Sequence, residues 1–139
     1  MKKTEDYVLE RQIGFIMRRA VQRHLSIFAT LIPDMTPTQF AALAKLCELG
    51  QASQNELGRL SSMDVATIKG VVDRLRARKL VKASVMQNDK RRLVLSPTKK
   101  GQVLFEQYAR KAAKATQLTI APLDKEEQGK LFQLLKRLV

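Results

Sequence analysis

Thr67, Lys69 and Arg74 fall within one short segment, "DVATIKGVVDRLRARKL", and Asp89, Lys90, Arg91 and Arg92 follow in "QNDKRRLVLS". Hydroxyl, ammonium and guanidinium groups of this kind donate hydrogen bonds and offer positive charge, so their chemistry is noncovalent recognition of an anion. Nothing nearby turns them into reactive groups. The chain has one histidine, His24, one cysteine, Cys47, no glycine-rich phosphate loop and no carboxylate cluster, which leaves no nucleophile–base pair to propose. A lone cysteine also excludes a CxxC zinc site, so no catalytic residue, metal or cofactor is expected.

The charge balance names the class of anion. Among 139 residues, 26 Lys and Arg stand against 13 Asp and Glu, a net charge of +13 that suits a polyanion. The excess is local. Residues 63–101 carry 11 basic and 3 acidic groups, or +8, whereas residues 1–62 carry +2 and residues 102–139 carry +3. A patch of this sort is a docking surface for nucleic acid. An anionic membrane is the weaker reading, because the apolar stripes are needed for a core. The mixed-charge opening "MKKTEDYVLERQIGF" lacks the apolar run of a secretory signal, and no segment approaches a membrane span. With one cysteine and no disulfide, the expectation is a cytoplasmic protein with no membrane partner.

Apolar periodicity and capping residues give the frame that must carry those groups. Leu9, Ile13, Met17, Ala20, His24, Ile27, Phe28 and Leu31 recur at steps of three and four, predicting an amphipathic helix over 5–31 that Pro33 ends. Thr36, Pro37 and Gln39 form a capping box ahead of a second helix that Gly50 terminates. Ser53 and Glu56 repeat the box for a short third helix, 54–60, with Leu57 and Leu60 inward. Asp64 caps a fourth helix to about residue 78, its apolar stripe formed by Ile68, Val71, Val72 and Leu75. Two helices joined by a turn of three or four residues are a helix-turn-helix.

The period then changes to two. Residues 80–86 and 92–96 read as two strands joined through Asn88-Asp89, which places the Lys90-Arg91-Arg92 run at a hairpin tip. Thr98 caps a fifth helix to about 120, and Asp124 with Glu127 starts a sixth that turns Leu131, Leu134, Leu135 and Leu138 inward. The fold class is mainly α with a small β-hairpin wing.

On the fourth helix, Ala66, Thr67, Lys69, Gly70, Asp73 and Arg74 lie opposite the apolar stripe. Small residues with cations beside them suit a helix lying against a groove, where Arg or Lys bonds guanine and a Thr methyl touches thymine. Gly70 costs ~1 kcal/mol of helix propensity relative to alanine, which close approach of a base edge would explain. Ser53, Gln54 and Asn55, at the start of the third helix, offer donors to a phosphate. The alternative is a nucleic-acid binder indifferent to sequence, which would need the charge but not the small-residue face.

Three segments, "TPTQFAALAKL", "SQNELGRLSSMDVATIKGVVDRLRARKLV" and "NDKRRLVLSPTKKG", resemble the MarR family of bacterial transcription regulators, in order and at the family's spacing. The resemblance implies a homodimeric winged helix-turn-helix that binds double-stranded DNA as a repressor. It divides the chain into a DNA-binding lobe at about 34–97 and dimerisation helices at about 1–33 and 98–139. The fourth helix would enter the major groove, Asp89 and Arg91 would form the wing's Asp-x-Arg, and Asp73 would pair with Arg91. Where the family commonly has glycine before the first wing strand, this chain has Lys79, so a non-glycine residue must take a left-handed conformation or the helix must end differently.

A dimer also follows physically, because the first, fifth and sixth helices carry more apolar surface than a monomer of this size covers. Many relatives of this type resemble switches that release DNA on binding a phenolic or aromatic-acid effector. Here Arg19, His24 and Phe28 are the candidate lining, and "RRAVQRHLSIF" resembles the first helix of members that regulate aromatic-acid catabolism. Against this, His24 is equally an ordinary half-buried histidine. Cys47 sits among apolar neighbours on the second helix and reads as core, not as a peroxide sensor, since a sensor thiol needs exposure and a lowered pKa.

Overall fold

The computed structural model describes residues 6–86 and 88–139, the side chains of Lys90 and Arg91 excepted. A 3-10 turn at Leu9–Arg11 precedes α1 (Ile13–Leu31), α2 (Pro37–Leu49), α3 (Gln54–Leu60), α4 (Val65–Ala77), β1 (Val81–Met86), β2 (Asp89–Pro97), α5 (Lys99–Ile120) and α6 (Lys125–Lys136). The order is that of a winged helix-turn-helix between long terminal helices.

The capping residues act where the sequence places them. The hydroxyl of Thr36 accepts the N–H of Gln39 at 3.2 Å while the Gln39 amide oxygen accepts the N–H of Thr36 at 3.2 Å. Asp64, Thr98 and Asp124 each accept an N–H three residues on, and Gly50 ends α2 at φ 82°. At Ser53 only one arm of the expected box forms among the described residues, from the Glu56 N–H to the Ser53 hydroxyl. Each such cap contributes ~1 kcal/mol by satisfying a donor that the helix leaves unpaired.

Packing joins α1, α2, α4, β2 and α5 into one core. Ile32, Leu43, Leu46, Leu57, Ile68, Val72, Leu75 and Leu80 are its largest fully buried side chains. Each contributes ~1.5–3 kcal/mol by leaving water, and the α4 stripe predicted from periodicity lies wholly within it. Burying that stripe turns the opposite face of α4 outward.

β1 and β2 pair antiparallel from Val81↔Pro97 to Val85↔Leu93, and the register shifts at Val85/Met86. The second strand therefore starts at Asp89, three residues earlier than alternation suggests. A third segment joins the wing. Ala52 exchanges N–H···O bonds with Leu95 at 3.0 and 2.8 Å, tying the α2–α3 connection to β2. At the α4–β1 junction Lys79 takes the left-handed conformation, φ 59°, and Ser62 does so in the helix-turn-helix turn, φ 56°.

Three expectations need correction. The helix predicted over 5–31 begins at Ile13, because Gln12 is extended (φ −85°, ψ 132°) and breaks the ladder between the 3-10 turn and α1. Leu60 is 37% exposed, at the edge of α3 and not within the core. On α6 and just beyond it, Leu134, Leu135 and Leu138 are exposed at 52%, 44% and 68%, and of the stripe expected to face inward only Leu131 is partly buried. Periodicity identifies an apolar face but not what lies against it.

Candidate nucleic-acid interface

The outward face of α4 presents Ala66, Thr67, Lys69, Gly70, Asp73 and Arg74, all exposed. A Cβ built on Gly70 meets nothing within 4 Å, so no neighbour in the chain requires glycine there. Lys69 Nζ donates to Asp73 Oδ2 at 3.1 Å, one turn apart on the surface. Water and ions screen such a pair to a few tenths of a kcal/mol, about 0.3–0.5, which a phosphate or base acceptor can overcome. Asp64 holds the start of α4 by accepting the Thr67 N–H at 2.7 Å, and this backbone bond is the main reason its carboxyl sits below the ordinary aspartate range.

The start of α3 and the wing share one cleft of about 550 Å³, lined among others by Ser53, Gln54, Asn55, Arg92 and Leu93. The Ala52–Leu95 bridge positions it, since it fixes the strand carrying Arg92 beside the residues that begin α3. Groups separated by nearly forty positions in sequence thus face a common space with hydroxyl, amide and guanidinium donors. The side chains of Lys90 and of Arg91, the latter expected to reach a groove, lie outside what the structure describes, so the pairing expected between Asp73 and Arg91 falls there as well. The backbone of both belongs to β2, directly after Asp89.

None of the clefts among the described residues brings Arg19, His24 and Phe28 together. Arg19 lies five positions before His24, about 140° around the helix, and its guanidinium sits 5.8 Å from the Phe15 ring centroid. His24 is half-buried and its Nδ1 lies 2.8 Å from the Thr119 hydroxyl. That hydroxyl's one proton goes to the Ala115 carbonyl at 2.7 Å, so Nδ1–H is the donor to Thr119, and in the neutral ring Nε2 is the acceptor. Phe28 is buried, 6.2 Å from the His24 ring and 6.2 Å from Phe40. It lines a cleft of about 440 Å³ with Leu25, Asp34 and Met35, at the α1–α2 connection. Cys47 packs against the core, and burial followed by the nearby Glu106 carboxylate pushes its thiol pKa up, opposite to a reactive thiolate.

Sequence periodicity gives no sign of two further groups. Arg23 donates to the Thr119 and Leu118 carbonyls at 3.1 and 3.0 Å, closing the C-terminal end of α5, where a cation meets the negative end of the helix dipole. Arg78, at the end of α4, reaches Asp34, and Tyr108 of α5 reaches the same carboxylate. The partners are 44 to 96 positions apart, and no local signal marks such pairings.

Residues 35–93, the span that holds this interface, match the model of the MarR family. Over 135 residues the chain is 33% identical to the HTH-type transcriptional repressor NicR of Pseudomonas putida, a match covering 96% of this chain and 85% of NicR. The chain belongs to the MarR family. A probable transcriptional regulator from Pseudomonas aeruginosa, solved by crystallography, superposes on it with a TM-score of 0.92 at 46% identity, covering 95% of this chain and all of that one. Bordetella bronchiseptica BpsR, whose DNA binding is regulated by 6-hydroxynicotinic acid, superposes with a TM-score of 0.90 at 34% identity, covering 95% of this chain and 96% of BpsR. MarR-family proteins are transcription regulators and not enzymes, and the likeness extends over both the helix-turn-helix and the long helices around it.

Proposed function

We propose that this MarR-family regulator is a cytoplasmic repressor that binds a palindromic DNA operator as a homodimer and lets go when a small aromatic or phenolic acid binds. The observation that carries the reading is the outward face of α4, where small side chains flank Lys69 and Arg74 and Gly70 has no packing reason to be glycine. A binder indifferent to sequence needs only charge. In this reading α4 lies in the major groove, and Ser53, Gln54, Asn55, Lys90 and Arg92 hold phosphates. Arg91, linked to Asp73, reaches the adjacent minor groove.

Residues of about 34–97 form the DNA lobe, and those of about 1–33 and 98–139 hold two copies together. The support is uncovered apolar surface. Ile13, at 68% exposure, lies in an apolar cleft with Leu131, Leu134, Leu135 and Leu138, while Ile16, Met17 and Val21 continue the stripe along α1. Two copies joined there present α4 to half-sites roughly 34 Å apart, one turn of the duplex. Sedimentation at micromolar concentration is expected to give twice the chain mass, and Leu135→Glu is expected to shift it toward the monomer. A wild-type monomer would refute the dimer.

BpsR's response to an aromatic acid supports the effector class, with the Nε2 acceptor of His24 offered to a ligand proton. The function is tested by enriching duplexes from a random-sequence pool and measuring affinity at fixed salt. The enriched duplex is expected to bind at least ~10³-fold tighter than a random one, and hydroxylated aromatic acids are expected to reduce that binding. Equal affinity for all duplexes would leave only a sequence-indifferent binder.

A further inference from the structure

Arg78 is the residue at which α4 ends, one turn beyond Arg74. Its guanidinium spans two acceptors of one residue. Nη1 donates to the Asp34 carbonyl at 2.8 Å and Nη2 to Asp34 Oδ2 at 2.9 Å, an arrangement with two fixed directions that a lysine cannot reproduce. Asp34 belongs to the connection between α1 and α2. The hydroxyl of Tyr108, on α5, lies 2.9 Å from both oxygens of the same carboxylate. Burial raises the Asp34 pKa, but the bonds from Tyr108 and Arg78 outweigh it and hold the carboxyl below its ordinary value, so it is charged at neutral pH.

The same junction is held from a second direction. Lys100 Nζ donates to the Arg78 carbonyl at 3.2 Å, and the Thr98 hydroxyl donates to the Lys79 carbonyl at 2.7 Å. Helix α5 therefore grips the end of α4 directly at Lys100 and again, through Asp34, at Tyr108, two points ~12 Å apart along its axis. The buried stripe sets which way the outward face of α4 points, and these two grips hold its end in place relative to the long helix.

From this geometry we infer that Asp34 and Tyr108 are positioning residues for DNA recognition, holding the end of α4 at the pitch that lets both copies of a dimer meet their half-sites. The inference rests on the reading of α4 as the groove-reading helix. It differs from a merely stabilising role in sign. Removing a carboxylate from a protein of net charge +13 strengthens attraction to DNA by electrostatics alone, whereas loosening α4 weakens recognition of a particular sequence.

The test uses the full chain, the duplex enriched from a random pool by the unaltered protein, and a random duplex of equal length. Asp34→Ala is expected to bind the enriched duplex about tenfold more weakly while holding or gaining affinity for the random one. Asp34→Asn, whose amide oxygen still accepts, is expected to recover more than half of that loss. Tyr108→Phe removes one hydroxyl and is expected to lower the ratio about threefold, which keeps the test decisive if Asp34→Ala folds poorly. Inserting one base pair between the half-sites should penalise these variants less than the unaltered protein. The inference is overturned if Asp34→Ala and Tyr108→Phe leave the ratio unchanged, if they alter both duplexes alike, or if asparagine does no better than alanine. Failure of the unaltered protein to enrich any duplex would instead overturn the groove reading itself, and this inference with it.

Discussion

Arg74→Ala is expected to lower affinity for an enriched duplex by ~1–3 kcal/mol, roughly five- to 150-fold, with a much smaller loss on random DNA. The residue stands on the exposed face of α4, one turn from its end, while Val71, Val72 and Leu75 beside it are buried and fix the direction in which that face points. Guanidinium donors are matched to the two acceptors of guanine in the major groove, and a truncated side chain leaves those acceptors unpaired in a dehydrated interface. Lys69 is a weaker candidate for the same role, because it must first give up its bond to Asp73. Lys90→Ala is the natural contrast. If Lys90 holds a phosphate as proposed, removing its ammonium is expected to weaken binding evenly across sequences and reduce the salt slope by about 1. Anisotropy titrations of both variants on the two duplexes at several salt concentrations check the pair, and equal losses on both duplexes for Arg74→Ala would remove its base-reading role.

Gly101→Ala is expected to destabilise the fold by ~3 kcal/mol, lowering Tm by about 10 °C. The α5 helix starts against the backbone of the α4–β1 junction, and a Cβ on Gly101 would overlap the carbonyl oxygen of Leu80. That carbonyl cannot move away cheaply. It accepts the Thr98 N–H at 3.0 Å, its own residue donates to the Leu75 carbonyl at 3.0 Å, and the Leu80 side chain is fully buried. Gly101 itself donates to the Thr98 hydroxyl at 3.0 Å, so sliding α5 outward would break its cap. Relief at any one point breaks a bond at another. Because the same junction carries Arg78 and Lys79, surviving Gly101→Ala protein is also expected to bind the enriched duplex more weakly. A thermal scan with an unchanged midpoint would contradict the packing argument. Gly70 has the opposite setting: a Cβ built there meets nothing within 4 Å, so internal packing does not require glycine at that position.

What was legible in the sequence is what neighbours within a few positions decide. Caps at Thr36, Asp64, Thr98 and Asp124 bond three residues ahead, and the α4 stripe repeats within two turns, so residue types alone placed the helices and the outward face of α4. The run at Lys90-Arg91-Arg92 reads as a hairpin tip with the second strand from 92, whereas that strand already begins at Asp89 through a register shift that alternation does not carry. Where the reading failed, a local pattern was extended past its reach. Apolar spacing continued back to Leu9, but the extended backbone at Gln12 ends the helix.

By itself, then, the sequence determined the order of elements, the localisation of +8 in residues 63–101 and the identity of the groups that could meet an anion. Tertiary structure alone decided which of them share a surface. Ser53 and Arg92 meet in one cleft because Ala52 bonds Leu95, and Arg19 is turned away from His24 by the helix that carries both. The Asp34–Arg78–Tyr108 cluster exists because the α1–α2 connection, the end of α4 and α5 converge. Arg78 and Tyr108 lie 44 and 74 positions from Asp34, and hydrogen bonds over such distances depend on how elements pack, which no spacing of residue types along the chain encodes.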